Sequence, residues 1–271
     1  MQGYRAPLFG NMPPVVKNII IINVLMLLGA MITNYEAAVG YLGLFYPESP
    51  YFRPYQIVTH MFMHGDFMHL FFNMFALYMF GRILETIWGS QRFLTYYLVT
   101  GMGAIVLHFL IAWIDIHQLK SAINLFQNSP TPEIFEKIIR KNISEPSGYL
   151  LDFITRFYDS PFSLSNIGEA KAILYKVYEQ RINVPVIGAS GAVFGVLLAF
   201  GMLFPNTELM LLFPPMPIKA KYFVIGYGIL ELFLGVSNRS GDNVAHFAHL
   251  GGMIFGFILI KIWNRNRFRL L

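Results

Sequence analysis

The chain has 271 residues, of which 55% are hydrophobic and 13% charged, with a formal net charge of +5, whereas a soluble domain carries roughly 25% charged residues. This balance excludes a water-soluble globular fold, and an aromatic content of 16% suits a chain whose Tyr and Trp collect where membrane meets water. The absence of cysteine excludes disulfides, cysteine-ligated metal and a thiol nucleophile.

Met1 to Lys17 is short, carries Arg5, Lys17 and the Pro13-Pro14 pair, and leads straight into Ile19, so the first apolar segment reads as a retained anchor and not as a cleaved signal. Apolar runs and their breakers give six spans, at 16–33, 68–87, 92–114, 186–204, 219–235 and 243–262, each near the roughly 20 residues that cross a hydrocarbon core. The expected fold class is therefore an all-α membrane protein, a six-transmembrane-helix bundle with a helical extramembrane insertion between helices 3 and 4. The segments are a short cytoplasmic N-terminus at 1–15, transmembrane helices 1–3 at 16–114, an outer helical insertion at 115–185, transmembrane helices 4–6 at 186–262, and a basic cytoplasmic tail at 263–271.

Orientation follows from Lys and Arg beside the spans. Arg5 and Lys17, Arg82 and Arg92, Lys219 and Lys221, and the tail residues Lys261, Arg265, Arg267 and Arg269 fall on one side, which should be cytoplasmic along with both termini. Residues 115–185 carry eight basic and eight acidic residues, so the whole excess of +5 lies outside the insertion. That excess reads as a topology signal and not as a nucleic-acid surface; the lipid bilayer is the expected partner of the apolar faces. The expected location is a bacterial inner membrane.

The first outer loop, Tyr41 to Tyr55, is dense in aromatics and broken by Pro47, Pro50 and Pro54, a composition expected to sink partly into the interface. Within the insertion, Thr131-Pro132-Glu133 is a helix-start signal followed by the stripe Ile134, Phe135, Ile138 and Ile139, with Pro at the first helical position. Leu150, Leu151, Ile154 and Phe157 form a second stripe, and Ala170, Ile173, Leu174 and Val177 a third, so three short amphipathic helices are expected. The insertion either admits and selects substrates or is a passive or oligomer-forming appendage.

Polar groups inside spans are expensive, which makes each a functional candidate. Span four opens with Gly188-Ala189-Ser190-Gly191, span six contains His246 and His249, and span two carries His69 and Asn73 after His60 and His64. With spans two, four and six all running inward, Ser190, His249, His69 and Asn73 share one outer depth. Serine needs a base within hydrogen-bond reach, and His249 is the best placed, because Gly252 and Gly256 follow on its helical face while Gly191 and Gly195 make a small-residue stripe on span four, permitting close approach. Phe194, one turn below Ser190, is positioned to stack on the His249 imidazole. His69, Asn73 and the Ser190 N–H are candidate oxyanion donors. No Asp or Glu is evident beside His249, so a dyad is expected. Glu231, inside span five, is either functional or a hydrogen-bond tie to a neighbouring helix, and His246, His60 and His64 read as structural.

These motifs resemble the rhomboid intramembrane serine proteases: His64-Gly65 through His69 to Asn73 match H-G-x-x-x-H-x-x-x-N, Gly188 to Gly191 match G-x-S-G, and Ala248 to Gly256 match A-H-x-x-G-x-x-x-G. The three motifs in this order are a strong signal, where a lone G-x-S-G is weak. The resemblance implies a rhomboid-like bundle, Ser190 as nucleophile, His249 as general base and acid, His69 and Asn73 in the oxyanion hole, and transmembrane proteins as substrates. It also matches Gly81 and Glu85 to a structural motif. Two departures stand out, Tyr55-Gln56 where the family often has Trp-Arg, and the length of the insertion. Two rivals carry less. A membrane metal enzyme would use the His60/His64 and His246/His249 spacings, but there is no H-E-x-x-H; a transporter lacks the expected two-fold repeat. No metal and no cofactor are expected.

Overall fold

The computed structural model describes residues 12–210, 215–237 and 245–267, with side chains described as far as Asn264. Arg5 and Arg269 of the expected charge pattern, and the side chains of Arg265 and Arg267, lie outside the described residues. The chain divides into two compact units, one of residues 1–44, 53–108 and 185–271, the other of residues 45–52 and 109–184.

The first unit begins with α1 (Pro14–Ile32), whose N-terminus accounts for every backbone donor of its first turn. Pro14 has no N–H to satisfy. The N–H groups of Val15 and Val16 donate to the two carboxylate oxygens of Glu85 at 2.9 and 2.8 Å, and Lys17 N–H donates to the Pro13 carbonyl at 3.0 Å. Glu85 is buried, accepts a further bond from Ser90 Oγ at 2.7 Å, and so ties the start of α1 to a segment 70 residues away. The negative carboxylate also sits at the positive end of the helix dipole.

After α2 (Tyr35–Leu42), the chain reaches a short α3 (Gln56–Thr59) and a 3₁₀ turn at His60–Phe62. Gln56, where the sequence departs from Trp-Arg, is fully buried; its side chain donates to the Tyr41 carbonyl at 3.2 Å and accepts from Arg53 N–H at 2.9 Å, which holds this part of the loop. The second long apolar helix is α4 (Phe67–Ala76) joined through one π turn at Leu77–Gly81 to α5 (Arg82–Trp88). Next comes α6 (Ser90–Asn128), a 39-residue helix that continues well past the end of the expected span at 114.

Five helices in the described residues are long and apolar enough to cross a membrane: Pro14–Ile32, Phe67–Trp88, Ser90–Asn128, Ala220–Ser237 and His246–Asn264. The span expected at 186–204 differs, because its helix, α10 (Ser190–Leu203), has only 14 residues, about 21 Å at 1.5 Å per residue. The preceding residues are not helical for local reasons: Val186 pairs with Leu44 in an isolated antiparallel bridge, and Gly188 sits at a φ of 127°, open to glycine and hostile to other residues. Ten of the 14 residues of α10 are buried by its neighbours, so a short helix here packs mainly against protein. Two three-residue strands, β1 (Glu208–Met210) and β2 (Pro217–Lys219), pair antiparallel in the register Glu208 to Lys219 and precede α11 (Ala220–Ser237) and α12 (His246–Arg267). They are a small exception to the expected all-α pattern.

The second unit holds α7 (Pro132–Asn142), α8 (Gly148–Asp159) and α9 (Leu164–Ile182), capped in turn by the side chains of Thr131, Ser147 and Ser163. Each cap accepts one of the N–H groups that a helix start leaves unpaired. Phe126, Phe135, Phe153 and Phe157 form its centre, packed with Leu119, Ile139, Leu150, Ala170 and Leu174. Burying four phenylalanines explains why a segment with no net charge and few long apolar runs still folds.

The Glu85 cap generates a test. Glu85→Ala leaves the Val15 and Val16 donors without their acceptor, a loss of about 1–3 kcal/mol for each buried donor left unpaired, and the denaturant midpoint of the purified protein in detergent should fall accordingly.

Candidate active site

The first turns of α4, α10 and α12 supply His69, Ser190, His246 and His249, and Asn73 follows further along α4. Asp66 caps α4 by accepting from His69 N–H at 2.8 Å, which starts the helix just above His69. Gly188 N–H donates to the His60 carbonyl at 2.9 Å, anchoring the turn that delivers Ser190 as the first residue of α10. A Cβ on Gly188 would lie 3.0 Å from His69 Cε1 and Nε2 and 3.7 Å from Ser190 Oγ, so the backbone at 188 runs between the His69 ring and the serine. The two glycines of G-x-S-G thus have separate reasons: Gly188 for its φ and the nearby imidazole, Gly191 for space.

Gly191 faces α6 and α12, where a Cβ would overlap that of Ala104 and approach the Ala248 carbonyl at 3.5 Å. Opposite it, a Cβ on Gly252 would overlap the Gly191 carbonyl itself. The α10 and α12 backbones are therefore in direct contact. Gly256 and Gly195 instead make room for α6: a Cβ at Gly256 would overlap the Tyr96 hydroxyl, and one at Gly195 would press on Thr100. The Tyr96 hydroxyl occupies that space by donating to the Gly195 carbonyl at 2.8 Å.

This packing brings His249 Nε2 to 2.7 Å from Ser190 Oγ. The His249 ring is buried and lies face to face with Phe194, with centroids 4.2 Å apart and planes inclined by 5°. Asn73 is buried one turn below His69, and its side-chain amide donates to the His69 carbonyl at 2.9 Å. Ser190, His249, Phe194, Gly188 and His69 are thus neighbours, Gly191 and Gly252 set the helix separation beside them, and Asn73 and Gly256 lie one turn further along α4 and α12.

One expectation requires correction, since a carboxylate does lie beside His249. Glu231 Oε2, on α11, is 2.8 Å from His249 Nδ1 and 2.7 Å from His246 Nδ1, and all three residues are buried. The intramembrane acid was the available signal. Its partner was hidden because helical arithmetic relates residues within one helix, and the pairing of α11 with α12 is a tertiary contact. Glu231 lies less than two turns before the end of α11 and His249 in the first turn of α12, which puts them level in antiparallel neighbours. Glu231, His246 and His249 also form the one group among the described residues with the ligand chemistry for a metal ion, their donor atoms lying within 4.8 Å of one another. Hydrogen bonding already accounts for the arrangement.

His60 and His64 brace the turn before α4. The His60 ring donates from Nδ1 to the Gln56 carbonyl at 2.8 Å, and the His64 carbonyl accepts from the Tyr35 hydroxyl at 3.1 Å. Burial pushes the His60 imidazole down to about 4 and that of His64 to about 3, so both stay neutral.

The rhomboid domain family model matches residues 51–114 and 162–266. The chain is 29% identical over 227 residues to an uncharacterized mitochondrial rhomboid protein of Schizosaccharomyces pombe, covering 79% of this chain and 53% of that protein. It is 25% identical over 219 residues to Rhomboid protein 1, mitochondrial, of Saccharomyces cerevisiae, covering 79% and 44%. The chain spans about half the length of the curated relatives it matches. Both relatives are named as mitochondrial, in contrast to the bacterial inner membrane expected above.

Two measurements check this geometry. Gly252→Val forces α10 and α12 apart, and should destabilise the protein by about 1–3 kcal/mol as an overpacked core does, read by denaturant unfolding. Acidification is the second. An unfolded histidine titrates near 6.5 while folded His60 titrates near 4, so between those values the unfolded state binds more protons and stability falls as pH falls. The unfolding midpoint should therefore drop through that window, and His64→Phe should reduce the drop.

Proposed function

The chain belongs to the rhomboid family, whose model matches more than half of its residues, and on that premise we propose that it is an intramembrane serine endopeptidase acting on transmembrane segments of membrane proteins. The observation that carries this reading is the 2.7 Å hydrogen bond between Ser190 Oγ and His249 Nε2, made between helix starts in a chain whose described residues include five membrane-length apolar helices. The proposed fold counts α10 as the sixth crossing, screened from lipid by its neighbours.

In the proposed reaction, a substrate segment enters from the side, past α11, and unwinds to expose a peptide bond. Ser190 Oγ attacks the carbonyl carbon while His249 Nε2 takes the hydroxyl proton, and the carbonyl electron pair moves onto oxygen. His69, Asn73 and the Ser190 N–H are the proposed donors to that oxyanion. Collapse of the tetrahedral intermediate breaks the C–N bond, with His249 returning the proton to the leaving amine. Water then repeats the sequence on the acyl-enzyme and frees Ser190. Phe194 supports the base by stacking on its ring, and no cofactor or metal takes part.

The test is incubation of the purified protein with a panel of single-span substrates. Ser190→Ala and His249→Ala should abolish cleavage with folding retained. Asn73→Ala should cost at most about 2.7–4 kcal/mol of transition-state stabilisation, the range for one oxyanion donor. Cleavage at the full rate by Ser190→Ala would remove this reading altogether.

A further inference from the structure

We infer that Glu231 is a positioning residue for His249, selecting the tautomer and ring orientation in which Nε2 faces Ser190, so that the site works as a Ser190–His249–Glu231 triad in place of a dyad. This rests on the assignment of Ser190 and His249 above.

A neutral imidazole carries one N–H and one lone pair, and only the lone pair can accept the serine proton. His249 Nε2 faces Ser190 Oγ at 2.7 Å and its Nδ1 faces Glu231 Oε2 at 2.8 Å. A carboxylate oxygen accepts and does not donate, so the His249 proton belongs on Nδ1 and the lone pair points at the hydroxyl. Phe194 does not make this choice. Stacking with the ring planes inclined by 5° holds the plane but tolerates a 180° turn of the ring about Cβ–Cγ, which would exchange Nδ1 with Cδ2 and Nε2 with Cε1. Glu231 distinguishes these orientations, because only one presents a donor to its oxygen.

His246 completes the arrangement from the other side. Its Nδ1 lies 2.7 Å from the same Oε2, so two imidazole donors converge on one carboxylate oxygen and fix its direction. His246 and His249 are three apart on α12 and hence neighbours on one helix face, which explains how one acid on α11 reaches both. When His249 takes the serine proton, the imidazolium that forms lies against the carboxylate, which favours the charged state in a buried site.

The competing role is a tie between α11 and α12, so the experiment must separate positioning from cohesion. Glu231→Leu removes the acceptor, whereas Glu231→Gln keeps an oxygen able to accept from both histidines and loses the charge. With a single-span substrate in detergent, kcat for Glu231→Leu should fall by about 10⁴-fold, the size seen when the orienting acid of a triad is replaced, with KM little changed. Glu231→Gln should fold as the unaltered protein does and still lose more than about tenfold in kcat. Nitrogen-15 spectra of labelled histidine should place the His249 proton on Nδ1 in the unaltered protein and on a mixture of Nδ1 and Nε2 in Glu231→Leu. Unchanged kcat in both variants, a loss confined to KM, or an Nε2-protonated His249 in the unaltered protein overturns the inference. If Ser190→Ala is inactive while Glu231→Leu cleaves normally, only the role of Glu231 falls; if Ser190→Ala cleaves at full rate, the underlying reading falls with it.

Discussion

The contact of Gly252 with the Gly191 carbonyl is the constraint from which the geometry of the site follows. Any side chain at 252 would occupy the position of that carbonyl, so the two helices stand at backbone contact distance. In lipid there is no hydrophobic drive to hold helices together, and close packing of small residues supplies the attraction instead. Because Ser190 begins α10 and His249 lies one turn above Gly252 on α12, the helix separation at the glycines becomes the separation of hydroxyl and imidazole.

The third helix of this core, α6, packs against both α10 and α12. Tyr96 and Thr100 project into the spaces left at Gly195 and Gly256, and the Tyr96 hydroxyl is satisfied by the Gly195 carbonyl. A buried hydroxyl without a partner is costly in an apolar setting, so the bond both fills the gap and fixes the rotation of α6. The same economy of polar groups appears at Glu85, where one carboxylate closes the open donors of α1 and the Ser90 hydroxyl together.

Glu231 is the case in which that economy meets chemistry. A carboxylate at membrane depth requires donors, and here the donors are two imidazoles, one of which faces a serine on its other side. A residue present only for cohesion could be satisfied by any donor. Its placement on the far edge of the proposed base is what gives it a consequence for proton transfer.

Much of this was legible in the chain itself. Composition and apolar runs declare a multi-pass membrane protein, because the length and hydropathy of a span are properties of consecutive residues. The motifs around His69, Ser190 and His249, and the glycines beside them, are likewise local patterns that helical periodicity turns into faces. Three things required the tertiary structure. The helix at Ser190 starts late because of a bridge from Val186 to Leu44 and a positive φ at Gly188, neither of which hydropathy registers. Residues 45–52 join 109–184 in one compact unit, a grouping set by contacts across long stretches of chain. Finally, Glu231 meets His249 across two helices, and sequence spacing carries information about faces within a helix but none about which face of the next helix it will touch.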